Sequence, residues 1–154
     1  MATLLIVDDD DAIRETLAEL LSTSNECHTA DRAEQALAYL ELENYDVVLT
    51  DISMPGLSGR EVLKRVQESH PATPVIVISG NANAGAAAEL LAMGAFAYLT
   101  KPFNLEVVED TVIRAIARRQ ELHTAAEDHR KRGSSDREDA PVDARVPKEV
   151  TWEN

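Results

Sequence analysis

The chain is poor in cysteine, in basic residues and in long apolar runs, and each shortage excludes a class of protein. Its single cysteine, Cys27, has no partner in the chain, so neither a disulfide framework nor a cysteine zinc centre is available. No stretch approaches the roughly 18 apolar residues that a membrane-spanning helix requires. Met1-Ala2-Thr3 leads straight into an apolar strand, without the basic start of a secretory signal. Basic residues are outnumbered, with 15 Lys and Arg against 28 Asp and Glu for a net charge of -13. Nucleic-acid affinity depends on Lys and Arg neutralising phosphates, so no nucleic acid is expected as a partner. The expected setting is the cytoplasm, with no membrane contact.

What remains is an ordinary soluble composition, 154 residues with 44% hydrophobic. That length supports one domain with a real core, plus a tail. Apolar strands alternate with helical patterns up to about residue 122. Thr3–Val7 is continuously apolar, as a strand buried on both faces must be. Helical spacing follows over Ala12–Thr23, then a short strand over Glu26–Ala30. Asp31 is expected to cap a helix through Leu42, with Glu34 completing a capping box. Asp46–Thr50 forms the third strand, and Met54-Pro55-Gly56 has Pro and Gly where a type II turn wants them. Gly59–Glu68, Val75–Ser79, Ala84–Met93 and Phe96–Thr100 continue the alternation. Asn104 caps a last helix carrying Leu105, Val108, Val112, Ile116 and Leu122.

Five strand–helix units predict an α/β fold, a doubly wound parallel sheet covered on both faces. The flavodoxin-like (βα)5 strand order 2-1-3-4-5 is the favoured topology. Residues 1–122 make the single domain. Residues 123–154 are polar and of mixed charge, too poor in large apolar groups to offset their ordering entropy, and are expected to be a flexible tail.

The chemistry lies at the strand ends. Apolar runs terminate at Asp8 and Asp9, at Asp51, at Ser79 and at Lys101. Ligands of open α/β sheets bind outside the carboxyl ends of the strands. Three crowded carboxylates repel unless a cation intervenes. Mg²⁺ suits a site of few carboxylates, several waters and a phosphate oxygen. Asp51, ending the central strand, is placed as a nucleophile for an aspartyl phosphate. Lys101 supplies a point positive charge and Ser79 a hydroxyl donor. Asp10 and Asp11 read instead as complements of the helix dipole. His28, His70, His123 and His129 share no ligand spacing, and Cys27 reads as a small buried hydrophobe.

Val7-Asp8-Asp9, the run Thr50 to Gly59 (TDISMPGLSG), Ser79-Gly80, Gly94-Ala95 and Lys101-Pro102-Phe103 occur in that order. Together they resemble the receiver domains of two-component response regulators, as in chemotaxis regulators, over about residues 2–121. The resemblance implies that Asp51 accepts a phosphoryl group from the phosphohistidine of a histidine kinase or histidine phosphotransfer protein. It implies that Asp8 or Asp9, with Asp51 and the backbone carbonyl of Ser53, binds Mg²⁺. Ser79 would be the switch hydroxyl and Tyr98 the switch aromatic, and the Lys101-Pro102 bond would be cis. No enzyme activity is expected beyond self-phosphorylation and autodephosphorylation.

Output is expected through the face of the fourth helix, fifth strand and last helix, engaging a downstream protein or a second copy. Ala86, Ala87, Ala88, Leu90 and Leu91 are more apolar there than one buried stripe needs. An alternative is the receiver portion of a larger sigma54-type or other transcriptional regulator. A weaker alternative is a haloacid-dehalogenase-like Mg²⁺ phosphatase. That chemistry places its nucleophile first in an Asp-x-Asp pattern, whereas here the acidic pair comes first.

Overall fold

The computed structural model describes residues 1–80 and 84–133, with side chains for 1–80 and 85–122. Five strands, β1 (Ala2–Val7), β2 (Asn25–Ala30), β3 (Val47–Asp51), β4 (Val75–Ser79) and β5 (Ala97–Thr100), form one sheet. They are parallel throughout and ordered β2-β1-β3-β4-β5. The helices are α1 (Asp11–Leu21), α2 (Ala33–Leu42), α3 (Gly59–Ser69), α4 (Ala84–Ala92) and α5 (Leu105–Gly133).

Alternate strand residues point to opposite faces, and two cores result. Leu5, Val7, Val48 and Val77 pack with Val62, Leu63 and Val66 of α3 and Leu90 of α4. Leu4, Ile6, Leu49 and Ile76 pack with Leu17 and Leu21 of α1 and Val108 and Val112 of α5. Each fully buried Leu or Ile contributes about 1.5–3 kcal/mol relative to exposure. The β3 and β4 strands are buried along their whole length, so the polar residues at their ends are held by a rigid frame.

Most predicted element bounds agree to within two residues. Asp31 is a correction. Arg32 occupies the cap position of α2 without a side-chain cap, and the Gln35 amide oxygen accepts from Asp31 N–H at 3.0 Å. Gln35 therefore satisfies the donor that Glu34 was expected to reach. Asn104 does cap α5, its side-chain oxygen accepting from Glu106 N–H at 2.7 Å. Cys27 is only half-buried, on the edge strand β2, and burial raises its thiol pKa.

Residues Met1–Arg119 form one compact unit and Gln120–Asn154 a second. Within the second, α5 continues to Gly133, so the start of the expected tail is helical. The run Gln120 to Arg132 is rich in Ala, Glu, Lys and Arg, all good helix formers. Residues 134–154, the rest of that expected tail, lie outside the described residues, as do the side chains of His123 and His129.

Candidate functional site

Strand register brings the predicted residues together. Val7 pairs with Thr50, Asp51 with Ile78, and Ser79 with Thr100. Asp8 and Lys101 each follow one residue beyond such a pair, so Asp8, Asp51, Ser79 and Lys101 share the carboxyl edge of the sheet. The Lys101 N–H donates to the Ser79 carbonyl at 2.7 Å, which extends the ladder past the end of β5. The Lys101-Pro102 peptide is cis, as the resemblance implies.

The carboxylates are enclosed. Asp8 is 1% exposed and Asp51 4%, and Asp9 lies exposed beside them. One oxygen from each of the three can lie within 4.8 Å of the others. Lys101 Nζ stands 3.1 Å from Asp8 Oδ2 and 3.4 Å from Asp51 Oδ2. The first contact compensates charge without hydrogen-bond alignment, for Asp8 Oδ2 is buried without a hydrogen bond. Asp8 Oδ1 accepts from Asp10 N–H at 2.8 Å, and Asp51 Oδ1 accepts from Ser53 N–H at 3.3 Å.

These distances set the proton affinities. Burial, and then the neighbouring Asp8 charge, push the Asp51 carboxyl above the ordinary carboxylate range; Lys101 and the Ser53 N–H offset part of this. Burial works against the charge on Lys101. The two carboxylates outweigh it, and its pKa lies above the ordinary lysine value. The site is thus an over-acidic pocket with the Lys101 ammonium set against its carboxylates. A buried carboxylate oxygen without a hydrogen bond, inside a three-carboxylate cluster, is the donor set of a hard divalent cation.

The loop after β3 is shaped by two glycines. Gly56 has φ +80°, the value that the third position of a type II turn requires. Gly59 starts α3, capped by the Ser58 hydroxyl, and its N–H donates to the Ile52 carbonyl at 3.1 Å. Ser79 and Tyr98 line a common cavity of about 330 Å³, together with Ser53, Met54, Arg60 and Leu90. The sequence reading missed two participants. Arg60 crosses from α3 to α4, pairing with Glu89 at 3.0 Å. Arg14 reaches back to the Asp8 carbonyl at 2.8 Å. An Arg three residues after an Asp is a helix-surface pair by spacing, and nothing local shows that its second arm returns to the strand end. Among the histidines, His28 bonds Tyr45 and Glu26, and His70 bonds the Leu40 carbonyl.

The family model of the response regulator receiver domain matches residues 4–113. The chain belongs to that family. The receiver is 38% identical over 117 residues to the DNA-binding transcriptional regulator NtrC of Salmonella typhimurium, covering 75% of this chain and 25% of NtrC. To the cell cycle response regulator CtrA of Brucella ovis it is 35% identical, covering 78% of this chain and 52% of CtrA. A receiver domain from Clostridium thermocellum superposes with a TM-score of 0.74 at 31% identity, covering 79% of this chain and 99% of that one. The chain thus spans about a quarter of the NtrC relatives and about half of CtrA.

Receiver domains are signalling domains rather than turnover enzymes, and histidine kinases are their partners. The family match sets aside the dehalogenase-like alternative. Among the described residues, no helix is long and apolar enough to cross a membrane.

Proposed function

We propose that Asp51 is the phosphoacceptor of this receiver. One observation carries the reading: the Lys101 ammonium lies between two buried carboxylates, at 3.1 and 3.4 Å, at the edge of the sheet. An Asp51 oxygen attacks the phosphorus of a phosphohistidine, the P–N bond breaks, and the imidazole of a histidine kinase or phosphotransfer protein leaves. Asp8, Asp9, Asp51 and the Ser53 backbone carbonyl hold Mg²⁺, which supplies positive charge to the phosphoryl oxygens. Lys101 neutralises charge from the other side, and Ser79 donates its hydroxyl to a phosphoryl oxygen. Self-phosphorylation from small donors and autodephosphorylation are its only chemistry.

The signal leaves through Ser79 and Tyr98. Drawing the Ser79 hydroxyl toward the phosphoryl group frees room in the cavity that both residues line. Tyr98 and the α4–β5–α5 face then change together, favouring a downstream protein or a second copy. Residues 1–122 carry the function in a cytoplasmic setting, with 123–154 a polar appendage. The net charge of -13 favours protein over nucleic-acid contacts for this chain.

A second reading, the receiver of a larger transcriptional regulator, is favoured by the NtrC alignment, which covers only 25% of NtrC. Both readings are tested by incubating the protein with acetyl phosphate and Mg²⁺ and weighing the intact chain. One phosphoryl group is expected on the wild type and none on Asp51→Asn. Labelling of Asp51→Asn to the wild-type extent overturns the assignment.

A further inference from the structure

Arg14 lies one turn into α1, and only 17% of its side chain is exposed. It holds the β1–α1 loop at three points. Its backbone N–H donates to the Asp10 carbonyl at 2.9 Å, Nη1 donates to the Asp8 carbonyl at 2.8 Å, and Nη2 pairs with the Asp11 carboxylate. Asp10 is the N-cap of α1, accepting from Ala12 and Ile13. The Asp8 side chain is held by Asp10 N–H and faces Lys101. Asp9 is the remaining carboxylate of the trio. It is exposed, and no described residue donates to its side chain.

What directs Asp9 is therefore its backbone. The Asp8 carbonyl and the Asp9 N–H belong to one planar peptide unit. The guanidinium grips the carbonyl of the peptide before Asp9 while Asp8 Oδ1 holds the N–H of the peptide after it, and the two planes together fix the direction in which the Asp9 Cα projects its side chain. We propose that Arg14 is a positioning residue of the metal site, presenting Asp9 to the ion that Asp8 and Asp51 hold. This rests on the reading of the trio as a Mg²⁺ site.

Charge and position make opposite demands here, which makes the proposal testable. The Arg14 guanidinium puts positive charge at the Asp8 backbone carbonyl, which opposes an incoming cation, so deleting its charge alone tightens Mg²⁺ binding. Deleting the restraint on Asp9 loosens it, and partners that orient metal ligands typically matter by about tenfold or more in affinity.

The experiment titrates Mg²⁺ alone into the full chain, without phosphodonor, and follows amide chemical shifts. The wild type, Arg14→Gln, Asp9→Asn and the double variant are compared, with melting curves as a check of folding. The expected result is Mg²⁺ binding weakened roughly tenfold by Arg14→Gln, and an effect under about twofold in the Asp9→Asn background, because the carboxylate being aimed is gone. Unchanged or tighter binding in Arg14→Gln overturns the proposal. Equal weakening in both backgrounds also overturns it, since Arg14 would then act on the loop as a whole. A wild type that shows no saturable Mg²⁺ shift overturns the metal reading itself, a distinguishable failure. Should Arg14→Gln not fold, Arg14→Lys keeps the charge without the planar fork, and the same dependence on Asp9 is required of it.

Discussion

Gly59 stands so close to Asp51 that a Cβ on it would lie 2.0 Å from the Asp51 carbonyl oxygen. The start of α3 is thereby pressed against the backbone of the residue whose side chain the site depends on. Neither partner of that contact can yield locally, because both are main chain and Asp51 ends a strand buried along its whole length.

Gly59→Ala is therefore expected to cost stability in the overpacking range, about 1–3 kcal/mol. It should also slow phosphorylation, since the strand end must shift to admit the methyl group. Gly80, with no described atom within 4 Å of its would-be Cβ and no positive φ, is the control, and Gly80→Ala should stay within about 0.5 kcal/mol. Urea denaturation of both variants measures the contrast.

Asp51→Asn should stabilise the metal-free protein while abolishing phosphorylation. Burial, and then Asp8, raise the folded-state pKa of Asp51 above its ordinary value of 3.8. The folded chain therefore binds a proton that the unfolded chain releases, and the stability this brings is lost as pH rises through the raised value. Asn mimics the protonated form at all pH values. At neutral pH without Mg²⁺, the melting temperature should rise by a few degrees, and the wild-type gain on mild acidification should shrink in the variant.

Lys101 is the converse case. Lys101→Met leaves Asp8 and Asp51 facing each other without a cation, and Lys101 is 19% exposed. The loss should fall somewhat below the roughly 3–5 kcal/mol of a fully buried broken pair. Added Mg²⁺ should raise the melting temperature of the variant more than that of the wild type. The pKa of Lys101 is raised above its ordinary 10.5, the carboxylates outweighing burial, so its contribution is present below that value and lost as pH climbs through the folded one.

Tyr45 predicts a second alkaline transition, at the opposite end of the sheet. Burial first, and then Glu43, Tyr39 and Glu26, push its phenol up to about 12, and its hydroxyl lies 2.8 Å from His28 Nδ1. Ultraviolet titration of the folded protein should show a tyrosine ionising near pH 12 that is absent in Tyr45→Phe. Stability held by the neutral phenol is lost between its ordinary 10.0 and about 12, and the variant should lack that loss.

Much of this molecule is written in its local order. Largely apolar runs ending in Asp8, Asp51 and Ser79 specify buried parallel strands and put charged and hydroxyl groups at one edge, because strands buried on both faces are near-continuously hydrophobic. Helix spacing and the Pro55-Gly56 turn are equally local, since each is set by side chains within a few residues. The Asp31 cap is not legible for a related reason: the Glu34 and Gln35 side chains compete for one donor, and only the folded turn decides that Gln35 takes it.

The tertiary structure decided what depends on approach across the chain. That Lys101 lies between Asp8 and Asp51 follows from the register of four strands, and burial together with the Asp8 charge makes Asp51 reluctant to ionise. The necessity of Gly59 comes from the Asp51 carbonyl, eight residues earlier in the chain. Arg14 shares a helix turn with Asp11 by spacing alone, yet its grip on the Asp8 carbonyl exists only once β1 and α1 have met. Residue type determined which groups the site could use. Close packing, through distance and desolvation, determined what those groups are able to do.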